Sequence, residues 1–207
     1  QAIGLNCSTG PEDMRDAIRF LGEHSPVPVH CIPNAGLPLQ GPNGETIFPE
    51  KPEPLAAALQ EYVERYGVSI VGGCCGTKPE HIEALAERGL IFELMAHPDQ
   101  LQEAASGLAN VDGLTVVVEH AGWPRSADDA ERALWAEGMR ALADVGDRVH
   151  CKLSGLAMPL GSMQADVFAP WLEQAIDLFG VERCFFASNF PVDGMHGTFD
   201  GLYTAYA

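Results

Sequence analysis

Two adjacent cysteines, Cys74 and Cys75, follow an apolar run and a glycine pair in Val71-Gly72-Gly73-Cys74-Cys75-Gly76-Thr77. Neighbouring cysteines are too close to bridge each other without strain, so a disulfide does not explain them. Thiolates at the end of a strand can instead converge on a zinc ion. Cys7 offers a third sulfur. It lies two residues before Thr9, as Cys75 lies two residues before Thr77. Thr9-Gly10-Pro11-Glu12 and Thr77-Lys78-Pro79-Glu80 both predict a helix start, with threonine in a capping box and proline in the first turn. Cys7 and Cys75 thus share one place in matching βα units, the C-terminal end of a strand, where parallel barrels build their active sites. Three protein thiolates with a fourth position open form the ligand set of a catalytic zinc. Such an ion holds a bound substrate thiol as the thiolate and readies it for attack on an electrophile. A lone cysteine would read as a small core residue; the matched pattern displaces that reading.

A second group of chemistry-bearing residues follows position 89. His97 closes Leu94-Met95-Ala96-His97-Pro98, and His120 lies in Val118-Glu119-His120-Ala121-Gly122-Trp123-Pro124. Lys152-Leu153-Ser154-Gly155 and Ala187-Ser188-Asn189-Phe190-Pro191-Val192-Asp193 end the next two apolar runs. Histidines at successive strand ends can bind a divalent metal or move protons in hydrolysis. His97, His120 and Asn189 are therefore the catalytic candidates of this half. Asn189 cannot act as a base, although its carbonyl oxygen can ligate weakly. His24, His30 and His150 read as surface or structural residues and His196 as a residue of a glycine-rich turn; His81 can cap or orient, but a solvated helix face is the preferred reading. Trp123, Trp135 and Trp171 read as packing residues rather than stacking platforms.

The elements that must position these residues alternate short apolar runs with helical periodicity, the signature of βα units around a parallel sheet. Strands are expected at 2–6, 29–32, 69–71, 90–96, 114–119, 150–153 and 184–188. Met14, Ala17, Ile18 and Leu21 recur at helical spacing, as do Leu55, Leu59 and Val63. Further helices are expected at 79–87, 130–143 and 167–178. Residues 33–54 carry six prolines and form a βα connection long enough to suggest a functional or disordered loop. The expected fold is α/β, a (β/α) TIM-barrel-like parallel sheet of about seven strands. One strand short of closure, such a barrel is incomplete or open.

Composition narrows the functional classes. A chain of 207 residues, 46% hydrophobic and 20% charged, is that of a globular protein with a sizeable core. A formal net charge of -17 argues against nucleic acid as a partner, since phosphate binding needs basic surface. No apolar run reaches bilayer length, so no membrane partner is expected. The opening residues carry no signal-peptide pattern, which points to a cytoplasmic setting and six reduced cysteines. Both ends read as abrupt, with 199–207 resembling a helix cut short. Dinucleotide, P-loop and serine-elbow motifs are absent.

Gly4-Leu5-Asn6-Cys7, Pro33-Asn34-Ala35-Gly36-Leu37-Pro38 and Gly72-Gly73-Cys74-Cys75-Gly76-Thr77 with Pro79-Glu80-His81-Ile82 resemble the homocysteine S-methyltransferase family. The resemblance implies a barrel that binds Zn2+ through Cys7, Cys74 and Cys75, takes homocysteine at the open position, and methylates it to methionine. Methylcobalamin is the implied external donor. The resemblance covers residues 1–88 and only the last three strands of such a barrel. Residues 89–207 resemble instead the last four strands of amidohydrolase-related metal-dependent hydrolases, a class that includes lactonases. There His97 and His120 match strand-end histidines, and Asn189 stands in place of an aspartate. That family's first-strand His-x-His pair has no counterpart in this sequence. The chain thus reads as a chimera of 1–88 and 89–207, joined near Arg88-Gly89. Three functions follow: zinc-dependent thiol methyl transfer, hydrolysis of a lactone or similar small molecule, or zinc binding without catalysis. The exposed edges of an incomplete sheet would favour pairing of copies into a homo-oligomer.

Overall fold

A computed structural model describes residues 2–207 and divides into two compact units, residues 1–94 with 111–115 and residues 95–110 with 116–207. In the first, β1 (Ile3–Asn6) leads to α1 (Pro11–His24) and β2 (Val29–Ile32). A short antiparallel hairpin of β3 (Leu39–Gln40) and β4 (Thr46–Ile47) precedes α2 (Pro52–Tyr66). Then come β5 (Val68–Gly72), α3 (Pro79–Ala86) and β6 (Ile91–Leu94). The strands run parallel in the order β1-β2-β5-β6. The second unit contains α4 (Leu101–Leu108), most of β7 (Thr115–Val118), α5 (Asp129–Asp144), β8 (Val149–Leu153), α6 (Ala157–Leu160), α7 (Ala165–Phe179), β9 (Cys184–Phe186) and α8 (Phe199–Tyr206). Its strands are parallel in the order β7-β8-β9.

All seven expected strands are therefore present, parallel and in chain order within each unit, with ends moved by one or two residues. This is the βα repeat of TIM-barrel-like proteins, with seven strands where a closed barrel has eight. Helix α4 was not among the expected elements, yet Leu101, Ala105 and Leu108 are buried at helical spacing. The hairpin β3–β4 interrupts the long 33–54 connection with two-residue strands whose side chains are exposed.

The helices form where an apolar stripe can be covered. In α1, Met14 and Ile18 are buried, proline stands in the first turn with Glu12 and Asp13, and His24 stands in the last. In α2, Leu55, Leu59 and Tyr62 are fully buried, and Gly67 ends the helix in the left-handed conformation that glycine adopts without strain. The Tyr62 hydroxyl donates to the Pro11 carbonyl at 2.5 Å, which fixes α1 against α2 by a polar contact inside an apolar interface. The second core is built on Trp135, Met139, Leu142, Phe168 and Phe179, all essentially inaccessible. The sequence placed Trp135 and Trp171 in packing roles; they meet edge to face at 4.8 Å.

The expected threonine caps are not formed. Gly10 and Lys78 occupy the N-cap positions, one residue later than Thr9 and Thr77. At α3 the His81 ring replaces the threonine: its Nδ1 accepts the Lys78 N–H at 3.2 Å.

Arg15 braces α1 on α2. Its guanidinium contacts Glu12 at 2.6 Å and Glu61 at 2.7 Å, and lies over the Tyr62 ring at 5.3 Å. Hydrogen bonding to Arg15 holds both carboxyls below the ordinary value of 4.5. A depressed carboxylate pKa stabilises the fold above the unfolded-state value, and that stabilisation is lost as pH falls through the folded-state value. Arg15→Met is therefore expected to lower the melting temperature near neutral pH, and the difference from the parent chain should close as pH falls below about 4. Thermal denaturation across that range measures it; a constant difference at every pH would contradict the assignment.

Candidate metal centre and a second polar cluster

The three cysteines converge. Cys7 directly follows β1, and Cys74 and Cys75 stand two and three residues beyond β5. The Sγ atoms of Cys7 and Cys75 are 3.9 Å apart, as are those of Cys74 and Cys75, and all three lie within 4.8 Å of one another. Sulfurs bound to one tetrahedral ion at about 2.3 Å stand roughly 3.8 Å apart. Soft donors with this spacing fit zinc.

The backbone around the sulfurs is held by bonds between distant segments. Cys7 and Ser8 adopt left-handed conformations at φ 60° and 63°, which costs non-glycine residues about 1–2 kcal/mol each. The turn is secured by the Cys7 N–H on the Ile32 carbonyl at 2.8 Å and the Thr9 N–H on the Cys7 carbonyl at 2.7 Å. Cys74 N–H donates to Pro33 O at 2.9 Å, and Ala35 N–H donates to Cys75 O at 2.9 Å. Two glycines are sterically required. A Cβ at Gly73 would stand 2.3 Å from Thr77 Oγ1, and one at Gly76, at φ 79°, would enter Phe48.

Two residues without a predicted role at the metal site organise this corner. Asn34 is 3% exposed and accepts the Cys75 N–H on Oδ1 at 3.2 Å. His81 is buried, not on a solvated face as expected: Nδ1 takes the Lys78 N–H, and Nε2 donates to the Glu50 carbonyl at 3.0 Å. It thereby ties the end of the 33–54 connection to the helix after the cysteine pair. The Ser8 backbone N–H, opposed by burial, lowers the Cys7 thiol pKa; burial pushes Cys74 up to about 12. The pocket thus distinguishes its thiols before any ion is considered, and a bound cation would favour the thiolate of each.

The second unit carries its own polar cluster at the C-terminal ends of β7 and β8. Lys152 Nζ donates to Glu119 Oε1 at 2.5 Å, and Glu119 Oε2 lies 3.7 Å from His120 Nε2. His120 Nδ1 is 2.9 Å from the Ser154 hydroxyl. Glu119, His120 and Ser154 are all buried. A Cβ at Gly155, at φ 68°, would stand 2.6 Å from His120 Nδ1, so the glycine makes room for the ring. His97 is exposed, with Nδ1 3.4 Å from the Trp123 carbonyl. Trp123 meets His120 edge-on at 4.5 Å and His97 at 6.5 Å. It is therefore the aromatic wall between the two predicted histidines, not a core residue. Asn189 is held in a separate turn: its N–H donates to Asp193 Oδ2 at 3.2 Å and its carbonyl accepts the Asp193 N–H at 3.1 Å. Asp193 is fully buried, and desolvation raises its pKa.

Parallel βα repeats with polar side chains gathered at strand C-terminal ends define a class, the TIM-barrel-like folds. The amidohydrolase family model matches residues 46–206, and the chain belongs to that family. The homocysteine S-methyltransferase model matches residues 1–89, so the two matches overlap from 46 to 89. The methionine synthase of Mycobacterium leprae is 49% identical over 84 residues, which are 41% of this chain and 7% of that protein. The uncharacterized protein y4mH of Sinorhizobium fredii is 32% identical over 122 residues, 59% of this chain and 40% of that one. The chain thus spans a small part of the first relative and under half of the other. An amidohydrolase from Burkholderia multivorans superposes with a TM-score of 0.70 at 19% identity, covering 97% of this chain and 72% of that one. Another crystal form of an amidohydrolase from the same organism, with bound zinc, gives 0.60 at 17%, covering 99% and 88%. These superpositions establish the shared fold. Among the described residues no helix is long and apolar enough to cross a membrane.

Proposed function

We propose that the chain binds Zn2+ through Cys7, Cys74 and Cys75 and transfers a methyl group to a thiol, with homocysteine the acceptor. The single observation that carries this reading is the convergence of three sulfurs from two strand ends within 4.8 Å. The kinship of residues 1–89 with homocysteine S-methyltransferases supports it, and so does the partial match to a methionine synthase. Bound zinc would supply Lewis acidity that keeps a substrate thiol deprotonated near neutral pH. The chain's own part is to gather the ligands: Asn34 and the 33–35 backbone hold the Cys74-Cys75 turn, and His81 locks the connection beside it. Methylcobalamin is the proposed external donor and the reducing cytoplasm the setting, in keeping with six free cysteines. In this reading 1–88 form the methyl-transfer part and 89–207 a separate amidohydrolase-like part. The test is methionine formation from homocysteine and methylcobalamin by the zinc-loaded protein. Zinc binding without methionine would reduce the function to metal binding.

A second reading rests on the other cluster. Buried Glu119, His120 and Ser154 with part-exposed Lys152 form a connected polar network of the kind that moves protons, in a chain of amidohydrolase kinship. It predicts hydrolysis of a lactone or similar small molecule, with His120 as the proton-transfer group and His97 and Asn189 as its neighbours in role. His120→Ala should lower turnover by about 10²–10⁴-fold. No turnover across a panel of γ- and δ-lactones by the parent chain would dismiss this reading. Pairing of copies through the edge strands is a further part of the proposal, read from the oligomeric state in solution.

A further inference from the structure

Cys151 and Cys184 take no part in either reading, yet they are direct register partners on the adjacent parallel strands β8 and β9. Register partners on parallel strands present their side chains to the same face, and strands about 4.8 Å apart bring their Cα atoms inside the range that a disulfide spans. Both cysteines are free. They differ in access: Cys151 is fully buried, whereas Cys184 is part-exposed, with Sγ 3.9 Å from the Ala175 carbonyl of α7.

The surroundings favour the thiolate at Cys184. Arg183 is fixed beside it by carbonyls, with Nε on Phe179 O at 2.6 Å and Nη1 on Gly146 O at 2.9 Å. The register-paired Cys151 thiol and the Arg183 charge lower the Cys184 pKa, against the opposing effect of burial. A part-exposed sulfur next to a cation and in register with a second thiol is the setting of a reactive cysteine. Cys31 shows the contrast. It is buried, its sulfur stands 4.0 Å from the Met14 thioether, and burial pushes its pKa up to about 12.

We propose that Cys184 and Cys151 form a peroxide-driven disulfide across β8 and β9, with Cys184 the sulfur that is attacked and Cys151 the one that resolves. The Cys184 thiolate attacks hydrogen peroxide; an S–O bond forms, the O–O bond breaks, and the departing hydroxide takes a proton to become water. Cys151 then gives up its proton and attacks the sulfenic sulfur. The S–S bond forms as the S–O bond breaks, and the second oxygen leaves as water. Two thiols lose two electrons, and one peroxide is reduced to two waters. The product fastens β9 to β8 by a covalent link in place of three register pairs alone.

The sequence supplies a clean readout. Trypsin cuts after Arg148, Lys152 and Arg183 and releases each cysteine alone in its own peptide, 149–152 and 184–207. After peroxide treatment and alkylation, mass spectrometry should find these two peptides joined, lighter than their sum by two hydrogens and separated again by reductant. Oxidation of the zinc-site thiols falls in other peptides and does not interfere. In Cys151→Ser the sulfenic acid has no resolving partner, so a dimedone adduct should accumulate on peptide 184–207 well beyond the parent level. Peptides that remain separate and alkylatable while Cys7, Cys74 and Cys75 are consumed would overturn the proposal. So would Cys184 sulfinic acid formed without the joined peptide.

Discussion

Replacing Cys75 with serine is expected to take bound zinc from about one ion per chain to less than about a tenth of that after dialysis, while the fold persists. A three-thiolate set has no spare protein ligand, and serine at neutral pH offers no alkoxide to replace a lost thiolate. Cys75 is exposed, so the change removes no core contact. The bonds that hold its turn are made by backbone atoms: its N–H on Asn34 Oδ1 and its carbonyl under the Ala35 N–H. Serine keeps both. The comparison that separates ligation from packing is Cys31→Ser. That residue is fully buried on β2 beside Met14, and a hydroxyl placed there without a partner costs about 1–3 kcal/mol. Cys31→Ser should therefore melt earlier yet keep its zinc, and Cys75→Ser should lose zinc with little change in the melting of the metal-free chain. Plasma mass spectrometry and thermal denaturation of the same samples read both. Stoichiometric zinc in Cys75→Ser would remove the centre, and with it the thiol-transfer reading.

The centre was legible in sequence because its constraints are local. Gly73 and Gly76 are required by contacts of their own turn with Thr77 and Phe48, and adjacent cysteines leave few structural explanations. Cys7 joins them through an analogy of position: it directly follows β1, and Cys75 stands three residues beyond β5. Its supporting residues were not legible. Asn34 meets Cys75 across 41 residues and His81 meets Glu50 across 31, and nothing in the local pattern of either announces the partner. The histidine was assigned to a solvated face because one turn of helix carries no sign of the loop that covers it. The capping threonines failed for a related reason. Proline in the first turn marks the helix start well, but the N-cap falls on the residue just before the proline. The seven strands were found because strands buried against helices read as near-continuous apolar runs. Helix α4 was missed because its stripe includes a small residue, Ala105, and Gly107 interrupts the helical propensity of the segment. In the second cluster the histidines are visible in sequence, whereas Trp123 reads as packing because an indole carries no mark of which surface it will line.

The other large effect expected is at Trp135. The segment that carries His120 is strained: His120, Ala121 and Trp123 all stand at positive φ, at 51°, 50° and 36°. Left-handed conformations of this kind cost about 1–3 kcal/mol each and persist only where the surroundings impose them. Trp135 is what imposes them from below. Its indole N–H donates to the Ala121 carbonyl at 2.6 Å, and the ring is wholly buried against Trp171. Gly122 completes the fit, since a Cβ there would stand 2.5 Å from Met139 Sδ and 3.4 Å from the indole nitrogen. Trp135→Ala should cost about 3–5 kcal/mol through the lost packing and the cavity left behind. Trp135→Phe is the sharper probe. It keeps an aromatic ring in the core but leaves the Ala121 carbonyl without its donor, at a cost of about 1–3 kcal/mol. Because that carbonyl sits next to His120, the phenylalanine variant should also disturb the ring's bond to Ser154, 2.9 Å away in the parent chain. Imidazole nitrogen shifts in NMR report it as a changed tautomer balance at His120, with His24 on the surface of α1 unchanged as the internal control. A Trp135→Phe protein that loses stability but keeps the His120 spectrum would make the tryptophan a packing residue only, and the hold on the strained segment would then belong to Gly122 and Ser154.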